Sequence, residues 1–179
     1  MTRLTALNPG EATGKTKELF NGINNKLGMV PNMMKTMGNS ATFLEAYLNL
    51  NATLGAGALG AKTGELIALA VAEVNGCDYC LSAHTYIGQN LVKIDAATLS
   101  SARTGNAADA KTAAILKFVK AVLATKGSVS DDDLAAVQSA GLSEGEIGEI
   151  IGHVALNVMT NYFNNTARTE IDFPKVTVG

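Results

Sequence analysis

Proline stands only at positions 9, 31 and 174, so the whole stretch between Pro31 and Pro174 is free of it. Proline removes a backbone donor and blocks a helix interior. Alternating apolar and polar residues, the mark of half-buried strands, are nearly absent, and alanine is abundant. These features predict an all-α fold.

Local signals divide the chain. Asn8-Pro9, a capping residue followed by proline, predicts the start of a first helix that carries Leu19, Phe20, Ile23 and Leu27 and stops at Gly28. Ser40 predicts the cap of a second helix with Phe43, Leu44, Tyr47, Leu48 and Leu50. LGAGALGAK reads as a turn. A third helix, Ala61 to Asn75, holds Glu65 in an otherwise apolar run, and Asn75-Gly76 breaks it. The next helix begins at the cysteines and runs to Gln89. Asp95 caps a short segment, and Asp109 to Thr125 is amphipathic, with Ile115, Val119 and Val122 on one face. Ser130 and the aspartates Asp131, Asp132 and Asp133 suit a solvated helix start, where negative charge offsets the dipole. Ser143 with Glu146 predicts a capping box for a last long helix that buries Ile147, Ile150, Ile151, Val154 and Val158. No linker or low-complexity segment appears, so residues 1–179 are read as one domain with its core motif in 60–90. Gly60–Leu66 and Gly141–Ile147 share a turn, a glutamate and an apolar helix. In that register Val158 and Asn161 occupy the places of the cysteines, so a second copy would keep the fold and lack the chemistry.

The chain has 179 residues, 47% of them hydrophobic and 17% charged, which suits a compact globular protein with its own core. The net charge is −2 and no Lys/Arg stripe exists, which argues against a nucleic-acid partner. The N-terminal MTRLTALNPGEATGKTKEL has no apolar signal region, and the longest apolar run, Leu66 to Val74, is cut by Glu73 and too short for a bilayer. The expectation is a cytoplasmic protein without membrane contact. In that reducing compartment two cysteines do not form a disulfide framework, and a C-x-x-C pair points to redox chemistry or metal.

Those cysteines lie in NGCDYCLSAH, with one of the two histidines four positions after the second. Residues three and four apart share a helix face, so Cys77, Cys80 and His84 form one stripe. Cys77 stands at the helix N-terminus, where free N–H groups and the dipole favour a thiolate. His84 lies one turn beyond Cys80 and can take its proton. Glu65 is costly in its apolar helix without a partner. The Asn75-Gly76 turn should fold the cysteine helix back against that one, so Glu65 meets His84 directly or through a water. A carboxylate behind a histidine sets its tautomer and raises its basicity. The residues thus offer a chain Glu65, His84, Cys80, Cys77.

Other readings stay open on the residues alone. The cysteines can be a buried pair of small apolar side chains. They can bind zinc with His84, and with Glu65 or His153 as fourth ligand. Glu65 can be a surface residue in the first turn of its helix. His153, on a stripe with Asn157 and Asn161, reads as a hydrogen-bonded core histidine, or as part of a cavity or subunit contact. Tyr162 and Phe163 read as packing residues. Met29, Met33, Met34 and Met37 either fill core or interface or shape an apolar groove.

The pattern Glu, eleven residues, Cys-x-x-Cys, three residues, His resembles the alkylhydroperoxidase D (AhpD-like) branch of the carboxymuconolactone decarboxylase superfamily. Glu65, Cys77, Cys80 and His84 match it at every spacing. ELIALAVAEVNGCDYCLSAH, LGMVPNMMKTM and HVALNVMTNYFNN also resemble peroxidase-related members, and the likeness covers most of the chain. It implies an AhpD-like helical fold with the CxxC at a helix N-terminus, assembled as trimers or hexamers. It implies reduction of organic hydroperoxides, with Cys80 meeting the peroxide, Cys77 as proton donor and resolving thiol, and His84 and Glu65 as proton relay. The dipole argument alone favours Cys77 as the more acidic thiol; the histidine and the resemblance favour Cys80. The best-known members couple to a peroxiredoxin and draw electrons from lipoyl groups, and often carry histidine where this chain has Tyr79.

The expected function is therefore a thiol-dependent alkyl hydroperoxidase without metal, haem or flavin. Its reductant is an external dithiol, lipoyl or thioredoxin-like, with a peroxiredoxin as candidate protein partner. The alternatives are a protein disulfide oxidoreductase and a non-enzymatic redox sensor or metal-binding helical module.

Overall fold

A computed structural model describes residues Met1–Gly179. It is all-α, as expected, with nine helices: α1 (Gly14–Leu27), α2 (Asn32–Met37), α3 (Ala41–Gly55), α4 (Gly60–Val74), α5 (Asp78–Asn90), α6 (Ala96–Arg103), α7 (Ala110–Thr125), α8 (Asp131–Ser139) and α9 (Glu144–Ala167). No helix is long and apolar enough to cross a membrane.

Side-chain caps set most of the starts. Ser40, Asp95, Asp109, Ser130 and Ser143 each accept a bond from the backbone N–H three residues on. Each satisfies a donor that the helix leaves open. Ser143 with Glu146, and Ser130 with Asp133, complete reciprocal boxes. Glu146 is thus spent on a surface cap, whereas Glu65, its counterpart in the faint repeat, lines an internal cavity.

Two boundaries differ from the sequence reading. α1 starts at Gly14 rather than at Asn8-Pro9. The Asn8 side chain accepts from the Gly10 N–H at 3.0 Å, and its carbonyl accepts from Glu11 and Ala12. Asn8 therefore closes a local turn instead of capping a helix. The short α2 was not anticipated, because six residues behind Pro31 show no helical period.

α4 is the central element. It packs against α5, α6, α7 and α9, and Leu66 through Ala72 are all buried. A cluster of 33 buried residues builds the core around it. On α9, Ile147, Ile150 and Val154 are buried as predicted, but Ile151 is exposed and Val158 only partly covered. Tyr162 is also exposed, while Phe163 packs on Phe43 with ring centroids 5.4 Å apart. Ile151 and Tyr162 lie eleven residues apart, about three turns, and so share the outer face of a helix that meets the core along one stripe.

The α4–α5 connection positions the chemistry. Gly76 has φ 63°, in the left-handed region. Across it the Cys77 N–H donates to the Ala72 carbonyl at 3.0 Å, and the Gly76 N–H to the Glu73 carbonyl at 3.3 Å. This is a Schellman closure of α4. Cys77 then serves as N-cap of α5, its Sγ accepting the Cys80 N–H at 3.2 Å. α9 grips the turn from outside: Asn75 Nδ2 donates to Asn161 Oδ1 at 3.0 Å, and Asn165 Nδ2 to the Asn75 carbonyl at 2.9 Å.

A Cβ added at Gly76 or at Gly22 in mid-α1 meets nothing within 4 Å, so the two glycines differ in backbone alone. Gly76→Ala should lose about 1–2 kcal/mol through left-handed strain. Gly22→Ala should gain about 0.5–1 kcal/mol of helix propensity. Urea unfolding checks both, and equal effects would refute the assigned role of Gly76.

Candidate active site

Cys77 and Cys80 are joined as a disulfide, their Cα atoms 5.3 Å apart. Cys77 is 0% and Cys80 2% exposed. A cavity of about 360 Å³ reaches the pair from one side, and its walls include Cys80 but not Cys77. That volume lies at the small end of the range of small-molecule sites.

α4 and α5 supply the titratable wall. Glu65 from α4 and His84 from α5 both line the cavity, and His84 Nδ1 lies 2.8 Å from Glu65 Oε2. The side chains contact directly, without a bridging group. Glu65 is no surface residue, with its side chain 17% exposed. With Nδ1 held by the carboxylate, the other ring nitrogen is left for a proton transfer. Tyr47 from α3 closes this end; burial and then the Glu65 charge push its hydroxyl up to about 12.

α2 and the C-terminal segment form an apolar wall with Met33, Met34 and Phe173. Met37 belongs to the core, and Met29 stands partly exposed at the cavity. Tyr79 anchors this wall. Its hydroxyl accepts the Met33 N–H at 3.1 Å and donates to Asp172 Oδ1 at 3.0 Å, while Asp172 Oδ2 accepts the Asn32 N–H at 2.7 Å. Burial, reinforced by the Asp172 charge, drives the Tyr79 pKa upward and keeps the phenol protonated. Tyr79 therefore ties α5, α2 and the C-terminal segment together.

α9 supplies a polar wall: His153, Asn157, Thr160 and Asn164, at helical spacing and all buried. Asn164 Nδ2 lies 3.4 Å from Cys80 Sγ and 3.1 Å from Met33 Sδ. The sequence reading missed Asn164. It placed His153 with Asn157 and Asn161, whereas Asn161 turns aside to hold Asn75. Extending the stripe along i, i+4, i+7 and i+11 would have found Asn164.

The structure thus brings Glu65, His84, Cys80 and His153 to one cavity and leaves Cys77 behind Cys80. No group of three or more His, Cys, Asp or Glu side chains is arranged to hold a metal ion.

Burial lowers the His153 pKa below the ordinary 6.5, outweighing the Glu149 and Glu65 charges and a backbone bond to Leu54 that favour the proton. The unfolded chain takes up this proton at about 6.5, the folded chain only at lower pH. His153 therefore supports full stability above 6.5 and costs stability as pH falls below it. Urea midpoints at pH 7.5 and 5.5 should show a smaller acid loss in His153→Gln than in wild type. Equal losses would refute the buried neutral state.

Residues 41–124 match the carboxymuconolactone decarboxylase family. No curated protein sequence matches the chain. Among solved structures, an uncharacterised peroxidase-related protein from Silicibacter sp. TM1040 is similar at 25% identity and TM-score 0.81, over 95% of this chain and 94% of that one. An uncharacterised peroxidase-related protein from Ralstonia eutropha JMP134, described as an alkylhydroperoxidase AhpD core, shares the fold at 20% identity and TM-score 0.85, over 96% and 92%. The debrominase Bmp8 shares it at 21% identity and TM-score 0.80, over 96% and 93%. With its helical frame and its CxxC at the start of α5, the chain has the AhpD-like fold, and from α3 to α7 it is similar to the carboxymuconolactone decarboxylase family.

Proposed function

We propose that the chain is a thiol peroxidase that reduces small organic hydroperoxides through a Cys77–Cys80 dithiol/disulfide cycle. One observation carries this reading: Cys80 lines the cavity together with the bonded Glu65–His84 pair, and Cys77 sits behind it. The peroxidase-related structures of the same fold support it.

In the reduced protein His84, oriented by Glu65, takes the Cys80 proton. The thiolate attacks the outer peroxide oxygen and the O–O bond breaks. Cys80 becomes a sulfenic acid, and the alkoxide takes the Cys77 proton and leaves as an alcohol. The Cys77 thiolate then attacks the Cys80 sulfur. Hydroxide leaves with the His84 proton as water, and the disulfide forms. The two thiols supply both electrons, and an external dithiol restores them. The Asn164 side-chain N–H beside Cys80 favours the thiolate in the first step.

Burial of both sulfurs favours a small molecule over a protein disulfide as oxidant. It also favours a slender donor such as a lipoyl arm, in a reducing cytoplasmic setting, over a broad protein face. We take the working unit to be a homo-oligomer, trimer or hexamer, because exposed Leu27, Met29, Tyr86 and Leu91 line the same cavity and offer an apolar surface to a second copy.

The test is steady-state reduction of an organic hydroperoxide with a small dithiol as donor. Wild type should turn over and Cys80→Ser should fall to background. His84→Gln should lose about 10²–10⁴-fold in kcat/KM, the usual weight of a general base. An unchanged rate in His84→Gln would remove the relay from the mechanism. A variant of the debrominase Bmp8 has been solved in complex with 2,3,4-tribromopyrrole, so that compound belongs in the same assay. Its turnover in place of the hydroperoxide would overturn the substrate reading. A disulfide that forms once without turnover would point to a sensor.

A further inference from the structure

His153 is a polar group that the peroxide chemistry does not use. It lies on the α9 wall with Asn157, Thr160 and Asn164, and these four residues are 6%, 4%, 5% and 3% exposed. Two of the other three are tied down. Asn157 Nδ2 donates to the His153 carbonyl at 2.8 Å, and Thr160 Oγ1 to the Asn157 carbonyl at 3.0 Å. His153 Nε2 is buried and has no partner. Buried polar atoms are almost always paired, so an orphan on a cavity wall calls for a ligand. Burial favours the neutral imidazole, whose two ring nitrogens are one donor and one acceptor, and Nε2 is the one buried without a partner.

The fold makes room for this ring. Gly64 sits inside α4 opposite it, and a Cβ there would lie 3.2 Å from His153 Cε1. Glycine weakens a helix interior, so its place under the imidazole has a cost that a leucine at 153 over an alanine at 64 would avoid.

A second unpartnered acceptor lies at the other end of the wall. Asn164 Oδ1 is buried without a partner, on the residue that reaches Cys80 Sγ. Eleven residues of helix rise separate 153 from 164, about 16 Å. Between them on α9 stand Asn157 and Thr160, whose polar groups bond back to the helix, and Leu156, Met34 and Ala68 add apolar surface to the cavity. The cavity wall therefore carries two unpartnered acceptors about three helical turns apart.

We propose that His153 Nε2 accepts a hydrogen bond from a hydroxyl or N–H group at the far end of the substrate, so that this site takes an elongated molecule with a donor at each end. The inference rests on the peroxidase reading only for the identity of the group at Cys80, a hydroperoxide O–H that donates to Asn164 Oδ1. An ω-hydroxyalkyl hydroperoxide is the simplest member of the class, and a plain alkyl hydroperoxide leaves His153 unpaired.

The test separates binding from turnover. Calorimetry on the oxidised protein compares an α,ω-alkanediol with the 1-alkanol of equal chain length, which needs no redox step. In His153→Phe the ratio of diol to alkanol affinity should fall about tenfold, the weight of one hydrogen bond, with alkanol affinity kept or improved. His153→Gln, which retains an acceptor, should recover part of the ratio. If His153→Phe does not fold, His153→Leu is read in its place. An unchanged ratio, an equal loss for both ligands, or no binding of either by wild type would overturn the proposal. The matched pair of hydroperoxides is then assayed with dithiol. Diol preference without hydroperoxide turnover would sink the peroxidase reading and leave the subsite standing. Turnover without preference for the ω-hydroxy substrate would do the reverse.

Discussion

The Cys77 N–H donates to the Ala72 carbonyl across Gly76, and that bond sends the chain back along α4 as α5. The rest of the site depends on it. Glycine is needed because the turn passes through φ 63°. The closure makes one residue finish α4 and cap α5, and that residue is Cys77. With the two helices packed together, Glu65, several turns before the bend, faces His84, two turns after it, and their side chains meet at 2.8 Å. A longer connection would leave that pairing to chance. Asn161 and Asn165 of α9 hold the bend in place, so the dithiol rests on three helices rather than on a loop.

α9 does a second job on another face. Its His153, Asn157, Thr160 and Asn164 put polar atoms where the core would be more stable with apolar ones. An unpaired buried polar atom costs about 1–3 kcal/mol. Asn157 and Thr160 escape this by bonding back to their own helix, while His153 Nε2 and Asn164 Oδ1 do not. Local rules are broken most often where a protein binds or reacts. Of the four unpaired buried side-chain atoms, His153 Nε2 and Asn164 Oδ1 belong to the wall of the cavity that reaches Cys80, while Asn161 Nδ2 and Thr169 Oγ1 lie on residues outside it. The opposite wall obeys the rules: Tyr79 has both a donor and an acceptor, and its phenol ties Met33 to Asp172.

The helices were legible because their signals are local. Ser40, Asp95, Asp109, Ser130 and Ser143 cap within three residues, and each reading needed only its own neighbourhood. Asn8 misled because an asparagine closes a turn as readily as it caps a helix, and the choice rests on the residues that follow. Ile151 and Tyr162 misled because apolar character does not say which side of a long helix meets the core. In the site, Glu65, Cys77, Cys80 and His84 were legible through spacing on two helices joined by a recognisable turn. Tyr79 and Asn164 were not, because their partners Asp172, Met33 and Cys80 come from distant parts of the chain.

The sequence by itself determined that the chain is helical, where most helices begin, and that two thiols, a histidine and a carboxylate lie within reach of one bend. Proline content, caps and i, i+4 spacing carry that information, and all act over a turn or two of backbone. Tertiary structure decided which sulfur lines the cavity, which polar residues of α9 face it and what holds Tyr79. Those outcomes depend on how α2, α3, α9 and the C-terminal segment pack around α4 and α5, and side-chain contacts between remote segments exist only once the core has closed.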